Sequence, residues 1–275
     1  MDIRLIATDM DGTLLDNEKN VSDRSRRALT LAAERGIEIV PATGRMLDMV
    51  PEEVLSFPFV RYAVVSNGSL VQNVRTGEKV FCAEIPCEEA VQICRQMASY
   101  GTMFDCCIDG RSYLEREYLD RMEEFFIGPR RFIGPMRAVR NAVDDLPEFI
   151  REKGQGVQKL QMMFKDPELR AKAMREIREA FPDVLVTSSV DRNLEINAGE
   201  ANKGNALRRL CAVLDIPMEQ AIAFGDGSND VTMLSMAGIG VAMGNACEEA
   251  RAAADRITGT NTADGVASFL EEYVL

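Results

Sequence analysis

Both ends of the chain alternate short apolar runs with amphipathic helical stretches, and the apolar runs end in acid, hydroxyl or glycine. Parallel strands joined by crossover helices produce this pattern, because a parallel pair cannot be closed by a tight turn and its strands are buried on both faces. Ile3 to Thr8 is the first run. Ser22 then caps a helix in which Arg26 to Arg35 carries Ala28, Leu29, Leu31, Ala32 and Ala33, and Gly36 ends it. Ile37 to Ala42 is the second strand, and Tyr62 to Ser66 the third, after a helical segment that includes Met46 to Leu55. Leu70 to Ala83 reads as a hairpin turning at Thr76-Gly77. The rhythm resumes at Asn193, with Leu194 to Asn197, a helix from Lys203 to Leu214 and strand Ala221 to Phe224. A short helix near Asn229 to Met236, strand Ile239 to Ala242 and a final helix from Thr262 to Tyr273 complete it.

Between these ends the rhythm differs. Glu88 to Tyr100 is helical, Thr102 to Ile108 and Arg111 to Glu115 flank an Asp109-Gly110 turn, Lys159 to Phe164 is a strand and Glu168 to Phe181 a helix. A chain of 275 residues also exceeds what one hydrophobic core usually organises. The expectation is an α/β protein: a Rossmann-like, doubly wound parallel-sheet core at residues 1–83 and 189–275, with an inserted α+β domain at 84–188.

Composition removes several chemistries. There is no histidine, which excludes Ser-His-Asp and Cys-His catalysis and imidazole metal ligands, so proton transfer falls to Asp, Glu, Lys, Tyr or Cys. With a net charge of −12 the chain is not expected to bind nucleic acid or anionic lipid, although a small or metal-bridged anion remains possible. Seven cysteines without a C-x-x-C pair suggest neither a disulfide framework nor a zinc site. Asp2, Arg4 and Asp9 break any signal-peptide apolar segment, and the longest uncharged run, Val231 to Cys247, is shorter than the roughly 20 residues of a membrane span. A cytoplasmic location follows as the expectation. Nothing in the sequence sets an oligomeric state.

Four strand ends carry the chemistry. Asp9-Met10-Asp11-Gly12-Thr13 sets two carboxylates at the carboxyl end of the first strand, where open α/β sheets bind ligands. Alone, this reads as a turn. Phe224-Gly225-Asp226-Gly227-Ser228-Asn229-Asp230 again sets acids after a buried strand; alone it is a solvated turn, or a calcium loop lacking its terminal Glu. Together the two ends make a hard oxygen site suited to Mg²⁺. Ala42-Thr43-Gly44-Arg45 ends a strand and is expected to open a helix, so that the Thr43 hydroxyl and Gly44 amide face an anion; the alternative is a plain Thr cap. Lys203 heads a helix, the unfavourable end of the dipole for a cation unless an anion sits there too; alone it reads as a solvated surface lysine.

In this order the four motifs resemble the haloacid dehalogenase superfamily of phosphotransferases. Val241-Ala242-Met243-Gly244-Asn245-Ala246, Ala254-Asp255, Asp264-Gly265-Val266-Ala267, Asn67-Gly68 and Leu194-Glu195-Ile196 are similar to its Cof-like group of sugar-phosphate and cofactor phosphatases. The resemblance implies that Asp9 is the nucleophile, forming an aspartyl-phosphate, and that Asp11 is the acid that protonates the leaving oxygen and then activates water. It implies Mg²⁺ held by the Asp9 carboxylate, the Asp11 carbonyl and Asp226, with Asp230 orienting metal-bound water. Thr43, Gly44, Lys203 and Asn229 then hold the phosphoryl oxygens. The inserted domain becomes a cap over the leaving group of a small phosphorylated substrate, with Asp109-Gly110-Arg111 and Gly128 to Arg131 as candidate specificity loops, each of which taken singly is an ordinary exposed turn. Two other readings share these motifs: a phosphomutase of the phosphomannomutase type, and a phospho-accepting signalling receiver. The receiver needs neither the insertion nor Asp11.

Overall fold

The computed structural model describes residues 2–125, 130–188 and 192–275. Its first strands are β1 (Leu5–Thr8), β2 (Glu38–Pro41), β3 (Tyr62–Val65), β4 (Leu70–Asn73) and β5 (Lys79–Cys82). β6 (Phe104–Ile108), β7 (Arg111–Glu115), β8 (Arg140–Val143), β9 (Lys159–Met163), β10 (Val184–Thr187) and β11 (Asn193–Ala198) follow, and then β12 (Ala221–Gly225), β13 (Ile239–Ala242) and β14 (Arg256–Ile257).

Every residue of β1, β2 and β12 is buried, as strands covered on both faces require. They form the centre of a five-stranded sheet of order β14-β13-β12-β1-β2, in which every pair is parallel. β3 continues from β2 through single parallel bridges, Ile39 with Val60 and Ala42 with Val64, and then pairs antiparallel with β4, and β4 with β5. The chain leaves β1 toward β2 and returns to its other side at β12. That reversal makes the carboxyl ends of β1 and β12 the topological switch point, and register pairs Thr8 with both Phe224 and Pro41. Asp9 and Asp226 leave from there.

The chain divides into two compact units, Met1–Gly44 with Val50–Cys82 and Asn202–Leu275, and Arg45–Met49 with Ala83–Ala201. The second is built on a six-stranded sheet of order β10-β11-β9-β6-β7-β8, antiparallel except for β7 with β8. Side chains alternate across a sheet. Phe104, Cys106, Ile108, Leu160, Met162, Leu194 and Ile196 enter one hydrophobic cluster with helices Cys87–Ala98, Leu146–Lys153 and Pro167–Ala180. The alternate positions hold buried charge: Arg140 Nη2 donates to Asp105 Oδ2 at 3.0 Å and Lys159 Nζ to Glu195 Oε1 at 2.9 Å. Burial pushes the Asp105 carboxyl up, against the opposing charges of Arg140 and Lys159.

Three expectations are corrected. Met46 to Leu55 is not one helix but a 3₁₀ turn, Leu47–Met49, and a short helix, Glu52–Ser56, because Pro51 lacks the N–H a continuous helix needs and biases Val50 away from the helical region. Consequently Thr43-Gly44 opens no helix, and no helix dipole faces an anion there. Leu194 to Asn197 does not restart the parallel rhythm: β11 pairs antiparallel with β9 and β10. Its alternation of polar and apolar residues already marked a strand with two unlike faces. Sequence reading also passed over β8, β14 and the helix Leu146–Lys153, the last capped by the Asp145 side chain. No helix among the described residues is long and apolar enough to cross a membrane.

Both guanidinium bonds to Asp105 come from Arg140, at 3.2 and 3.0 Å. Arg140→Met therefore strands a buried carboxyl and should lower stability by about 3–5 kcal/mol in chemical denaturation. Adding Asp105→Leu should recover most of that loss. A double variant no more stable than the single would show that the pair is not what the loss reports.

Candidate active site

Asp9 extends β1 by one residue: its N–H donates to Phe224 O at 2.9 Å, which fixes it beside β12. The chain then turns tightly, with Leu14 N–H donating to Asp9 O and Leu15 N–H to Met10 O. Met10 is fully buried in the core. Gly12 adopts φ +85, and a Cβ there would stand 2.3 Å from Asp226 Oδ2, so only glycine lets the turn and this carboxylate meet. Thr13 Oγ1 donates to the other oxygen of Asp226 at 2.8 Å.

After β12 the chain folds back on itself. Asp230 Oδ2 accepts the N–H groups of Asp226 and Gly227, each at 2.9 Å. Its Oδ1 accepts from Lys203 Nζ at 2.5 Å, and the same ammonium donates to Asp9 Oδ1 at 2.6 Å. Lys203 is 0% exposed and Asp9 6%. The anion that a lysine at a helix start demands is thus a pair of carboxylates. The helix Lys203–Val213 itself is capped by Asn202, whose side chain accepts from Asn205 N–H.

Carboxylate oxygens of Asp9, Asp226 and Asp230 lie within 4.8 Å of one another. With all three ionised and Lys203 charged, the cluster keeps two negative charges. An all-oxygen donor set with that balance fits a hard divalent cation. The electrostatics agree. Burial holds the Asp9 carboxyl well above the usual carboxylate range; Lys203 opposes this, while Asp230 and Asp226 add to it. Burial likewise raises Asp226 to about 6, against the Thr13 hydrogen bond. For Lys203 burial works against the charge, but Asp230 and Asp9 outweigh it and hold the pKa above the ordinary lysine value.

A polar rim adjoins this cluster. Asn229 Nδ2 donates to Asn67 Oδ1 at 3.1 Å, and a Cβ on Gly44 would lie 2.7 Å from that same oxygen. Thr43 is buried, its N–H bonded to Val64 O and its carbonyl to Asn67 N–H. Ser66 and Asn67 both have left-handed φ, +51 and +58, and both are buried. A Cβ on the next residue, Gly68, would come within 3.0 Å of Lys203 N, so this turn lies against the start of the lysine helix.

The structure therefore brings Asp9, Asp226, Asp230 and Lys203 into one cluster and Thr43, Gly44 and Asn229 into one rim. Asp11 stands apart. Its half-exposed carboxylate pairs with Lys19 at 2.7 Å, and it is not among the clustered acids. Sequence reasoning assigned no role to Thr13, Lys19, Asn67 or Asn245; the last donates to Gly12 O at 2.8 Å and to Asp226 Oδ2 at 3.4 Å. The Asn67-Gly68 dipeptide was a usable signal, since Asn and Gly tolerate left-handed backbone. Lys19 carried none. In the second unit, Asp109 (φ +52) and Gly110 (φ +75) form the turn between β6 and β7. Gln158 Oε1 accepts the Gly110 N–H and Gln155 Nε2 donates to Asp109 Oδ2. Of the expected loop Gly128 to Arg131, residues 128–129 lie outside the described residues.

A model of the haloacid dehalogenase-like hydrolase family matches residues 6–270. The chain is 30% identical over 277 residues to the 5-amino-6-(5-phospho-D-ribitylamino)uracil phosphatase YcsE of Bacillus subtilis (strain 168), covering 100% of this chain and 97% of that one. Among solved structures, a haloacid dehalogenase-like hydrolase from B. subtilis superposes with TM-score 0.83 at 29% identity, over 99% of this chain and 100% of the other. A haloacid dehalogenase-like hydrolase from Bacteroides thetaiotaomicron gives TM-score 0.82 at 27% identity, over 98% and 99%.

Because folding raises the pKa of Asp226 to about 6, its protonated form favours the native state. This stabilisation is complete below the unfolded value of about 4 and is lost as pH rises through about 6. In EDTA-treated protein, Asp226→Asn, which mimics the protonated acid, should gain in melting temperature relative to the parent over that window. An unchanged difference between the two proteins would count against the crowded-acid picture.

Proposed function

This chain belongs to the haloacid dehalogenase-like hydrolases and is a phosphatase, and we propose that it hydrolyses a small phosphorylated metabolite, a sugar phosphate or phosphorylated cofactor, using Mg²⁺ and an aspartyl-phosphate on Asp9. The observation that carries this reading is the buried ammonium of Lys203 between Asp9 and Asp230 at a strand-end switch point. Such a carboxylate is fixed in place and buried from water on one side, yet followed by a turn that presents a second acid.

Asp9 attacks phosphorus in line, the Asp9 oxygen–phosphorus bond forms and the ester P–O bond breaks, while Asp11 gives its proton to the departing oxygen. Asp11 then takes a proton from the water that cleaves the acyl phosphate. Lys203, Thr43, Gly44 and Asn229 hold the phosphoryl oxygens, offsetting the repulsion between a dianion and a carboxylate. Asp9, Asp226 and the Asp11 carbonyl would hold the Mg²⁺, with Asp230 supporting that shell. When bound it supplies positive charge that favours the ionised nucleophile and neutralises the transferring group. A relative named for a phospho-ribitylamino-uracil puts phosphorylated ribityl compounds beside hexose phosphates, pyridoxal phosphate and flavin mononucleotide in the substrate panel.

Asp9→Asn should lower phosphate release by at least about a thousandfold with the fold retained by circular dichroism. Near-parental activity would exclude the covalent route. In EDTA-treated protein Mg²⁺ should raise the melting temperature and switch on turnover, and Asp226→Ala should lose both responses. Ca²⁺ should support less turnover than Mg²⁺, because its looser coordination misplaces the attacking carboxylate. Full activity in EDTA, or an undiminished Mg²⁺ response in Asp226→Ala, would remove the metal from the reading.

A further inference from the structure

Lys19 lies in a left-handed conformation, φ +68, which a non-glycine residue adopts only when its surroundings hold it there. They do. Asp16 Oδ1 accepts the N–H groups of Glu18 at 2.8 Å and Asn20 at 2.9 Å. Asp16 N–H donates to Asn20 O at 3.0 Å, and Lys19 N–H to Asp16 O at 3.1 Å. Leu15 bridges Val21, and Asp11 bridges Leu15. From the other side Asn261 Nδ2 donates to Leu15 O at 2.9 Å and Asn245 Nδ2 to Gly12 O at 2.8 Å. The excursion after the D-x-D turn is thus tied at both ends, and what it delivers is an ammonium 2.7 Å from Asp11 Oδ1.

Stability does not account for this construction. The two side chains are 37% and 38% exposed, and an exposed ion pair contributes at most about 1 kcal/mol. We infer that Lys19 is a positioning residue for the proton transfer by Asp11, an inference that rests on the acid role proposed above. An ammonium carries three donors and no acceptor. One of them meets Asp11 Oδ1 at 2.7 Å, which orients the carboxyl at the end of its turn. As the carboxyl O–H bond of Asp11 breaks and the new O–H bond forms on the departing oxygen, the electron pair left on the carboxyl develops its charge beside Nζ. Lys19 stabilises that product of the transfer. The benefit scales with how much the leaving group needs a proton: large for an alkyl phosphate, small for p-nitrophenyl phosphate.

The test compares kcat and KM on glycerol phosphate and p-nitrophenyl phosphate for the parent, Lys19→Asn, Lys19→Arg, Asp11→Asn and the Lys19→Asn/Asp11→Asn double variant. Asn tolerates the left-handed backbone, so Lys19→Asn removes the ammonium without disturbing the turn, and its melting temperature should stay close to the parent's. The expected result is a loss in kcat of about tenfold on glycerol phosphate against less than about twofold on p-nitrophenyl phosphate, with KM little changed. Lys19→Arg should restore most of the loss, and Lys19→Asn should cost nothing further in the Asp11→Asn background. Equal losses on both substrates, or fully additive losses in the double variant, would overturn the inference while leaving an Mg²⁺-dependent, Asp9-dependent phosphatase standing. A parent protein whose turnover survives Asp9→Asn would overturn the covalent reading, and this inference with it.

Discussion

The first unit is organised around one buried ammonium. Lys203 has no exposure, and its ammonium donates to Asp9 and Asp230 at 2.6 and 2.5 Å. Two carboxylates brought this close would repel. The ammonium lets both remain near one another, and the third acid, Asp226, completes a cluster whose residual charge calls for a cation. The strand order, the helix start at Asn202 and the fold-back of Asp230 all serve to bring that nitrogen and those oxygens together.

Main-chain geometry matters as much as charge here. Gly12 admits Asp226 to the turn, and Gly44 lets Asn67 and Asn229 approach each other beside Thr43. Asp230 spends one oxygen on two backbone N–H groups, so its orientation is set by the turn and not by a ligand. Side chains held this way lose little entropy when a phosphoryl group arrives, which is the condition for electrostatic stabilisation of a transferring phosphate.

The second unit solves a different problem. Its sheet buries a hydrophobic cluster on one face and two ion pairs, Arg140 with Asp105 and Lys159 with Glu195, on alternate positions. Buried pairs of this kind contribute little net stability over an apolar replacement, but they penalise a misregistered strand, because a shift of one residue would drive the charges into the apolar face. The turn at Asp109-Gly110 shows the same economy: two residues with positive φ, held by Gln155 and Gln158 of the neighbouring segment.

Much of the first unit was legible in the chain. Unbroken apolar runs such as Leu5 to Ala7 and Ala221 to Phe224 mark strands covered on both faces, and the acids that follow them fall at the ends of those strands. Local sequence also determined that no histidine chemistry operates. What it did not determine was anything arising from distant chain segments. Pro51 was visible, and its effect, a 3₁₀ turn and a short helix in place of one long helix, appeared only in the folded chain. β11 alternates polar and apolar residues, and whether such a strand pairs parallel or antiparallel is set by its neighbours β9 and β10. The pairing of Lys19 with Asp11 had no sequence signature at all, because an ion pair across a turn is defined by backbone angles, not by composition. Sequence periodicity specifies which face of an element is apolar; which charges then meet across a core is decided only when those faces close on one another, since Coulomb energy at 3 Å and the loss of water around it exist only in the folded chain.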